Sequence, residues 1–327
     1  MTPEPLTLTL LWQQLGWPLI RLIIFISIGL LVANLIELLN WTRKMAVLAG
    51  PLIRFGRLSS ITGASFSMAF FSGVSANTML AEAHSQNRIS TRELVLANLF
   101  NSLPTYFLHL PTTFVITVPL IKGAAIIYIG MTFGAAVLRT LCITCISRVL
   151  LRDNTDRVDY TPPEAEESNG ENRFRTAWRR AWKRFRKRIV KIIRFTVPIY
   201  ILFFIFNRWG LFAALEHSMA AHLSGLSWLS PQAVSIIALH IAAEFTAGLA
   251  AAGALLQDGI MEQREVVLAL LVGNILSSPV RAIRHQFPYY AGIFQPRLAA
   301  RLIFFSQSFR TLSIAVVAFG YYLVSRP

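Results

Sequence analysis

The sequence predicts an all-α integral membrane protein made of two inverted repeats. Each repeat is expected to hold about three spanning helices, a re-entrant hairpin and an interfacial helix. Three observations carry this. The chain has 327 residues, 54% of them hydrophobic and only 14% charged, with a mean hydropathy of +0.54; a soluble domain carries roughly 25% charged residues. Aromatic-flanked apolar runs recur along the chain, each of about 20 residues and so long enough to cross ~30 Å of hydrocarbon. The two halves also match in order and at a nearly constant spacing. Arg21 matches Arg194, Asn34 matches Asn207, Arg92-Glu93 matches Arg264-Glu265, Asn101 matches Asn274, and Arg139-Thr140-Leu141 matches Arg310-Thr311-Leu312.

The first span is expected over residues 17–39. No small-residue cleavage site follows it, so it reads as a retained helix and not a signal peptide. Residues 41–59 carry Arg43, Lys44, Arg54 and Arg57 among apolar neighbours, the pattern of a helix lying at the interface. Residues 61–83 are apolar but interrupted at the centre by Ser72-Gly73-Val74-Ser75-Ala76-Asn77. Irregular backbone is tolerated at membrane depth only inside protein or a watery cavity, so this stretch reads as a hairpin tip. A long apolar stretch from Glu93 to Leu120 is expected to break near Asn101-Ser102-Leu103-Pro104 and again at Pro111, and a span follows over residues 123–150.

The second half repeats the order. Its span is expected over residues 193–206, followed by a loop or interfacial segment over 213–230. The run 233–256 is interrupted by His240, Glu244, Thr246 and Gly248. The stretch from Arg264 to Ile283 is expected to break between Asn274 and Pro279. A loop rich in Pro, Tyr and Arg should follow, then a last span over 302–324. The domains are then 1–150 and 189–327 for the repeats, and 151–188 for a cytoplasmic acidic linker and basic amphipathic helix. Lys and Arg in short loops prefer the cytoplasm. If the hairpins re-enter, the basic groups 43–57, 88–92, 148–194 and 281–301 fall on one side, with only Lys122, Arg208, Arg264 and Arg326 opposite. That asymmetry favours inverted copies, with both termini outside.

The net charge of +15 is mostly local: between Arg173 and Arg194 there are eleven Lys or Arg residues and no acid. Trp178, Trp182 and Phe185 share a face there, as in a surface helix resting on anionic lipid. The pattern does not point to nucleic acid. Cys142 and Cys145 form a CxxC inside an apolar helix and read as small packing residues.

The candidate chemistry lies at the interruptions. Helix half-ends there offer unpaired N–H and C=O groups, and Ser72, Ser75, Asn77, Asn101, Ser102, Asn274, Ser277 and Ser278 are the expected solute-binding residues. Kinking by Pro, with Ser and Asn satisfying the backbone, is the plainer account of the same residues. Glu244 is a carboxylate in an apolar run. His240 stands four residues before it, on the same face of a continuous helix. Such a group marks an ion or proton path, or a structural pair. Arg139 and Arg310, at matched positions inside spans, each need a partner, a cavity or an anion.

The Ser72–Asn77 tip and the Asn101-Ser102-Leu103-Pro104 segment resemble the nucleoside-recognition, or Gate, family of membrane proteins. That family includes spore maturation proteins and the Gate domains of bacterial ferrous iron permeases, and is considered similar in architecture to concentrative nucleoside transporters. The permeases place a Cys near the tip where Ser72 and Ser75 stand here. The resemblance implies a transporter architecture, with a nucleoside-like solute as one option.

The expectation is a multi-pass protein of the inner (plasma) membrane that moves a small polar or anionic solute, coupled to an ion or proton through Glu244 and His240. A non-transporting scaffold that binds lipids or partners through its basic segment is the alternative. No cofactor, metal site or enzyme is expected, since neither a Ser-His-Asp grouping nor a phosphate loop is present. A homo-oligomer is compatible with this reading.

Overall fold

A computed structural model of the protein describes residues 7–38, 49–151, 170–211, 214, 218, 230–242 and 244–325. All regular elements among them are helices. α1 (Leu8–Leu11) runs through a π-helical turn (Trp12–Gly16) into α2 (Trp17–Leu38). The first half continues with α3 (Gly50–Phe55), α4 (Ser60–Ala69), α5 (Gly73–Ser85), α6 (Thr91–Phe100), α7 (Ser102–Ile121) and α8 (Gly123–Leu150). The second half holds α9 (Gly170–Arg208), α10 (Pro231–Ala242), α11 (Glu244–Gln257), α12 (Gln263–Arg281), a π-helical turn (Ala282–Gln286), α13 (Phe287–Ile293) and α14 (Pro296–Val324).

Local chemistry sets the starts of these helices. Ser59, Ser72 and Ser90 stand in extended backbone, and their hydroxyls accept from Thr62, Ser75 and Glu93 N–H. Each thereby satisfies a donor that the first turn leaves open. Glu262 and Glu265 form a reciprocal capping box on α12, which satisfies donors in both directions. The matched pairs Arg92-Glu93 and Arg264-Glu265 therefore sit in the first turns of corresponding helices.

Five stretches are long and apolar enough to cross a membrane: Leu8–Val32, Thr91–Ile121, Gly123–Leu150, Gln263–Ile293 and Pro296–Val324. The chain is an all-α, multi-pass membrane protein. In each half a pair of short helices packs as a hairpin ahead of the long spans: α4 with α5, and α10 with α11. The helices α4, α5, α6 and α8 start at Ser60, Gly73, Thr91 and Gly123. Their counterparts α10, α11, α12 and α14 start at Pro231, Glu244, Gln263 and Pro296, in the same order and nearly the same spacing.

Two large apolar cores hold the helices, beside a small cluster of Ala64, Met68, Ala69, Ala76 and Met79 inside the first hairpin. One gathers Ile26, Leu30, Leu80, Leu94, Phe100 and Ile143 from the first half and is closed by Phe294 and Leu302 from the second. The other gathers Ile236, Ile237, Leu249, Leu270 and Leu271 and is closed by Ile121 and Tyr128 from the first. Each half thus completes the other's interior.

Several sequence expectations are corrected. Pro111 does not break α7, which continues through it and through Pro119 to Ile121. Within this stretch the Thr113 and Thr117 hydroxyls donate to the His109 and Thr113 carbonyls, one turn back. The expected break between Asn274 and Pro279 is absent: α12 runs through both, and the irregularity moves into the π-helical turn after Arg281. Ser277 and Arg281 side chains both donate to the Asn274 carbonyl there. The expected Pro/Tyr/Arg loop is mostly the π-helical turn and α13. The domain boundary at 188/189 falls inside the 39-residue α9. Cys142 and Cys145 are exposed and do not pack within the chain. Of the expected interfacial helix 41–59 the described part is the short α3; residues 39–48 and most of 212–229 lie outside the described residues.

Candidate functional site

Two buried polar groups stand out against the apolar cores. The first is built by the α4–α5 hairpin, α6 and α13. Asn77, early in α5, donates through Nδ2 to Tyr289 Oη at 2.8 Å and accepts from Asn98 Nδ2 at 2.9 Å. Asn98 Nδ2 also reaches Tyr290 Oη at 3.2 Å. Tyr289 donates to the Gly73 carbonyl at 3.2 Å, so α13 is tied to the hairpin tip. Asn101 Nδ2 donates to Ser65 Oγ at 2.7 Å, and Ser65 in turn donates to the Ala76 carbonyl at 3.3 Å. Asn98 and Asn101 lie three apart on one face, and the Oδ1 of each is buried without a partner among the described residues.

The expected tip residues divide by role. Asn77 and Asn101 enter this network. Ser72 is the cap of α5 and accepts from Ser75 N–H and Oγ at 3.1 and 3.0 Å. Ser102 donates to the Leu99 carbonyl. Ser72, Ser75 and Ser102 thus make local bonds that shape the backbone.

The second group lies where α8, α10, α11, α12 and α14 meet. Asn274 is its centre. Its Nδ2 donates to Tyr128 Oη at 2.9 Å. Its Oδ1 accepts from Arg281 Nη2 and from Arg310 Nη2, both at 3.1 Å. Two guanidinium groups therefore share one neutral amide oxygen. Arg139 Nη1 donates to Ser313 Oγ at 2.9 Å, and Ser313 donates to the Arg310 carbonyl at 2.9 Å. Among the described residues neither Arg139 nor Arg310 pairs with a carboxylate. Ser278 joins from the side, donating to Gln307 Oε1 at 2.6 Å; Gln307 passes the chain on to Gln286 at 2.8 Å. Ser277 is spent on the Asn274 carbonyl.

His240 stands in the same region, fully buried, and neither ring nitrogen has a hydrogen-bond partner among the described residues. Its ring meets Phe245 edge to face at 5.4 Å, and Phe245 stacks on Tyr128 at 5.9 Å. Arg281 and Arg310 are close enough to interact electrostatically with it. The close fit depends on two glycines. A Cβ on Gly273 would lie 2.8 Å from His240 Nδ1, and one on Gly248 would lie 2.8 Å from His240 Cβ.

His240 and Glu244 do not share a helical face. α10 ends at Ala242 and α11 begins at Glu244, so the two residues belong to different arms of the hairpin. The Glu244 side chain lies outside the described residues.

Sequence reading misses Asn98, Tyr128, Arg281, Tyr289 and Tyr290. Two of these carry a signal: Asn98 is one turn before Asn101, and Arg281 is two turns after Asn274. By sequence Arg281 counts among the cytoplasmic loop charges, and it turns inward instead. The three tyrosines carry none, because their hydroxyls meet partners from the other half of the chain.

The chain is similar to three uncharacterized proteins of Methanocaldococcus jannaschii. One is 24% identical over 307 residues, covering 93% of both chains. A second is 24% identical over 315 residues, covering 96% of both. A third is 20% identical over 280 residues, covering 84% of this chain and 88% of its own. No protein-family profile and no solved structure matches the chain.

Proposed function

We propose that the protein transports a small polar or anionic solute across the plasma membrane, coupled to an ion or proton. The observation that carries this is the second polar group, where Arg281 and Arg310 converge on a neutral Asn274 oxygen inside an apolar body. Buried cations are costly and are kept where a partner, an aqueous path or a ligand compensates them. The first group, with its Asn and Tyr hydrogen-bonding atoms, suits an uncharged, nucleoside-like part of a solute.

Inverted repeats with re-entrant hairpins complete the reading, since such repeats place solutes at discontinuous segments near the midplane. Helix lengths support it. α4 has 10 residues, α5 13, α10 12 and α11 14. At ~1.5 Å per residue the arms reach only ~15–21 Å, short of ~30 Å of hydrocarbon. The matched offsets between elements support duplication. Glu244, opening the second arm, is the proposed coupling group, on its sequence position alone.

Purified protein in liposomes decides between this and a lipid-binding scaffold, to which the basic run of α9 would lend itself. Uptake is measured for labelled nucleosides, phosphates and carboxylates, with and without pH and sodium gradients. Saturable uptake that falls at least tenfold in Arg310→Gln is expected. Glu244→Gln is expected to abolish gradient-driven accumulation and keep exchange. No flux of any solute by folded protein sinks the transport reading.

A further inference from the structure

We infer that the N-terminal arm of α9 binds anionic lipid headgroups, with Trp178 and Trp182 seated at the membrane interface beside them. The inference goes beyond transport and holds for a transporter and a scaffold alike. The arm presents three strips. Ala177 and Ala181 are buried, and Phe185, one turn on, packs against the first core. A spacing of four puts these three on one face, turned to the body of the protein. Trp178 and Trp182 lie one residue further round, each 44% exposed, with their rings stacked at 6.5 Å. Trp182 also meets the Phe185 ring at 5.1 Å. Beyond them Arg175, Arg179, Lys183 and Arg186 are exposed. At 3.6 residues per turn these four cations fall within about a quarter turn of one another.

Exposed aromatic rings beside a row of cations need an occupant that suits both. The four cations, and Arg180 next to them, meet no carboxylate among the described residues. The seven acids between Asp153 and Glu171 are too few to neutralise the eleven Lys and Arg residues between Arg173 and Arg194. Charge alone would suit any polyanion, and position selects lipid. The core on which Phe185 rests includes Leu94, Phe100 and Ile143, from two of the long apolar stretches. The arm is therefore held against the membrane-embedded body. It also runs on, within one helix, into the apolar run 195–206. Trp favours the headgroup level, where one end of the ring is apolar and the other wet. Lys and Arg beside such rings are the composition of helices that bind anionic bilayers.

The test uses the full-length chain in phosphatidylcholine nanodiscs, with bromine-labelled lipid as a short-range quencher of Trp fluorescence. A Trp178→Phe/Trp182→Phe double variant supplies the background of the other tryptophans, and subtraction leaves the arm's signal. Bromine-labelled phosphatidylglycerol, as a minor component, is expected to quench that signal about twofold more than the same amount of bromine-labelled phosphatidylcholine. About 1 M NaCl, where the screening length falls to ~3 Å, should remove the difference. So should Arg175→Gln, Arg179→Gln, Arg180→Gln, Lys183→Gln and Arg186→Gln combined. Should a variant fail to fold, the unmodified chain still decides: its total quenching should favour phosphatidylglycerol at low salt and lose that preference at high salt. Equal quenching by the two lipids at low salt overturns the inference, as does a preference that survives the five substitutions. An arm signal that neither lipid quenches but aqueous acrylamide does also overturns it, and points to an acidic protein partner instead.

Discussion

Asn274 joins three elements through a single carboxamide. Replacing it with Ala removes the shared acceptor of Arg281 and Arg310 and the donor to Tyr128. Each buried group left unpaired costs ~1–3 kcal/mol, so Asn274→Ala is expected to lower Tm clearly. Asn274→Asp has the opposite logic. It keeps the shape and supplies a carboxylate between the two guanidinium groups. It is expected to hold or raise Tm and to abolish anion uptake, because the protein then neutralises its own arginines. Thermal unfolding and flux on the same preparations check both. Much at this scale could be read from the chain: Asn77, Asn101, Asn274, Arg139 and Arg310 all enter buried networks. The pairing of His240 with Glu244 could not, because a four-residue spacing means one face only if the helix is unbroken. The sequence from Leu239 to Thr246 contains no Gly, Pro or polar cluster to mark the interruption.

The hairpins show what an element needs from its neighbours. α11 packs against α7 so closely that a Cβ on Gly253 would lie 2.5 Å from the Leu120 carbonyl oxygen. That atom is backbone and cannot rotate away. Gly253→Ala is therefore expected to lower expression and Tm. Gly130 has nothing within 4 Å of its Cβ position, so Gly130→Ala should be neutral or slightly stabilising. Detergent-stability profiles of the two variants check this. Ser72-Gly73 announces the first hairpin because a cap and a small residue interrupt an apolar run. Prolines mislead at the same scale. Pro111 and Pro279 look like breaks, yet both lie inside helices that continue past them.

Across the whole molecule, each half's core is closed by residues from the other, so neither half is expected to fold alone. The offset between halves is readable because matched residues occupy matched helix positions; the tyrosine bridges are not, because they depend on docking. Sidedness follows from the re-entrant reading and can be measured. With Cys142 and Cys145 changed to Ala, single cysteines at exposed Asn87 and at Asn169 in the linker should be shielded from an impermeant external thiol reagent in intact cells. One at exposed Gln263 should react. Labelling of Asn87→Cys from outside, before the membrane is opened, would rule out inverted copies.

α9 has a mechanical consequence. It runs for 39 residues. A rise of ~1.5 Å per residue makes it about 58 Å long, roughly twice the hydrocarbon thickness. It packs against both α2 and α13, and α13 carries Tyr289, which grips the first hairpin tip. A helix of that length that crosses the bilayer with its apolar C-terminal part would carry its arginine-rich N-terminal arm beyond the hydrocarbon, and would then work as a lever pivoting among the spans. A tilt of ~10° about the pivot would swing an arm of ~30 Å by ~5 Å. Any rocking of the hairpins would be amplified at that arm, and any charged surface holding the arm would act back on the hairpins as a brake.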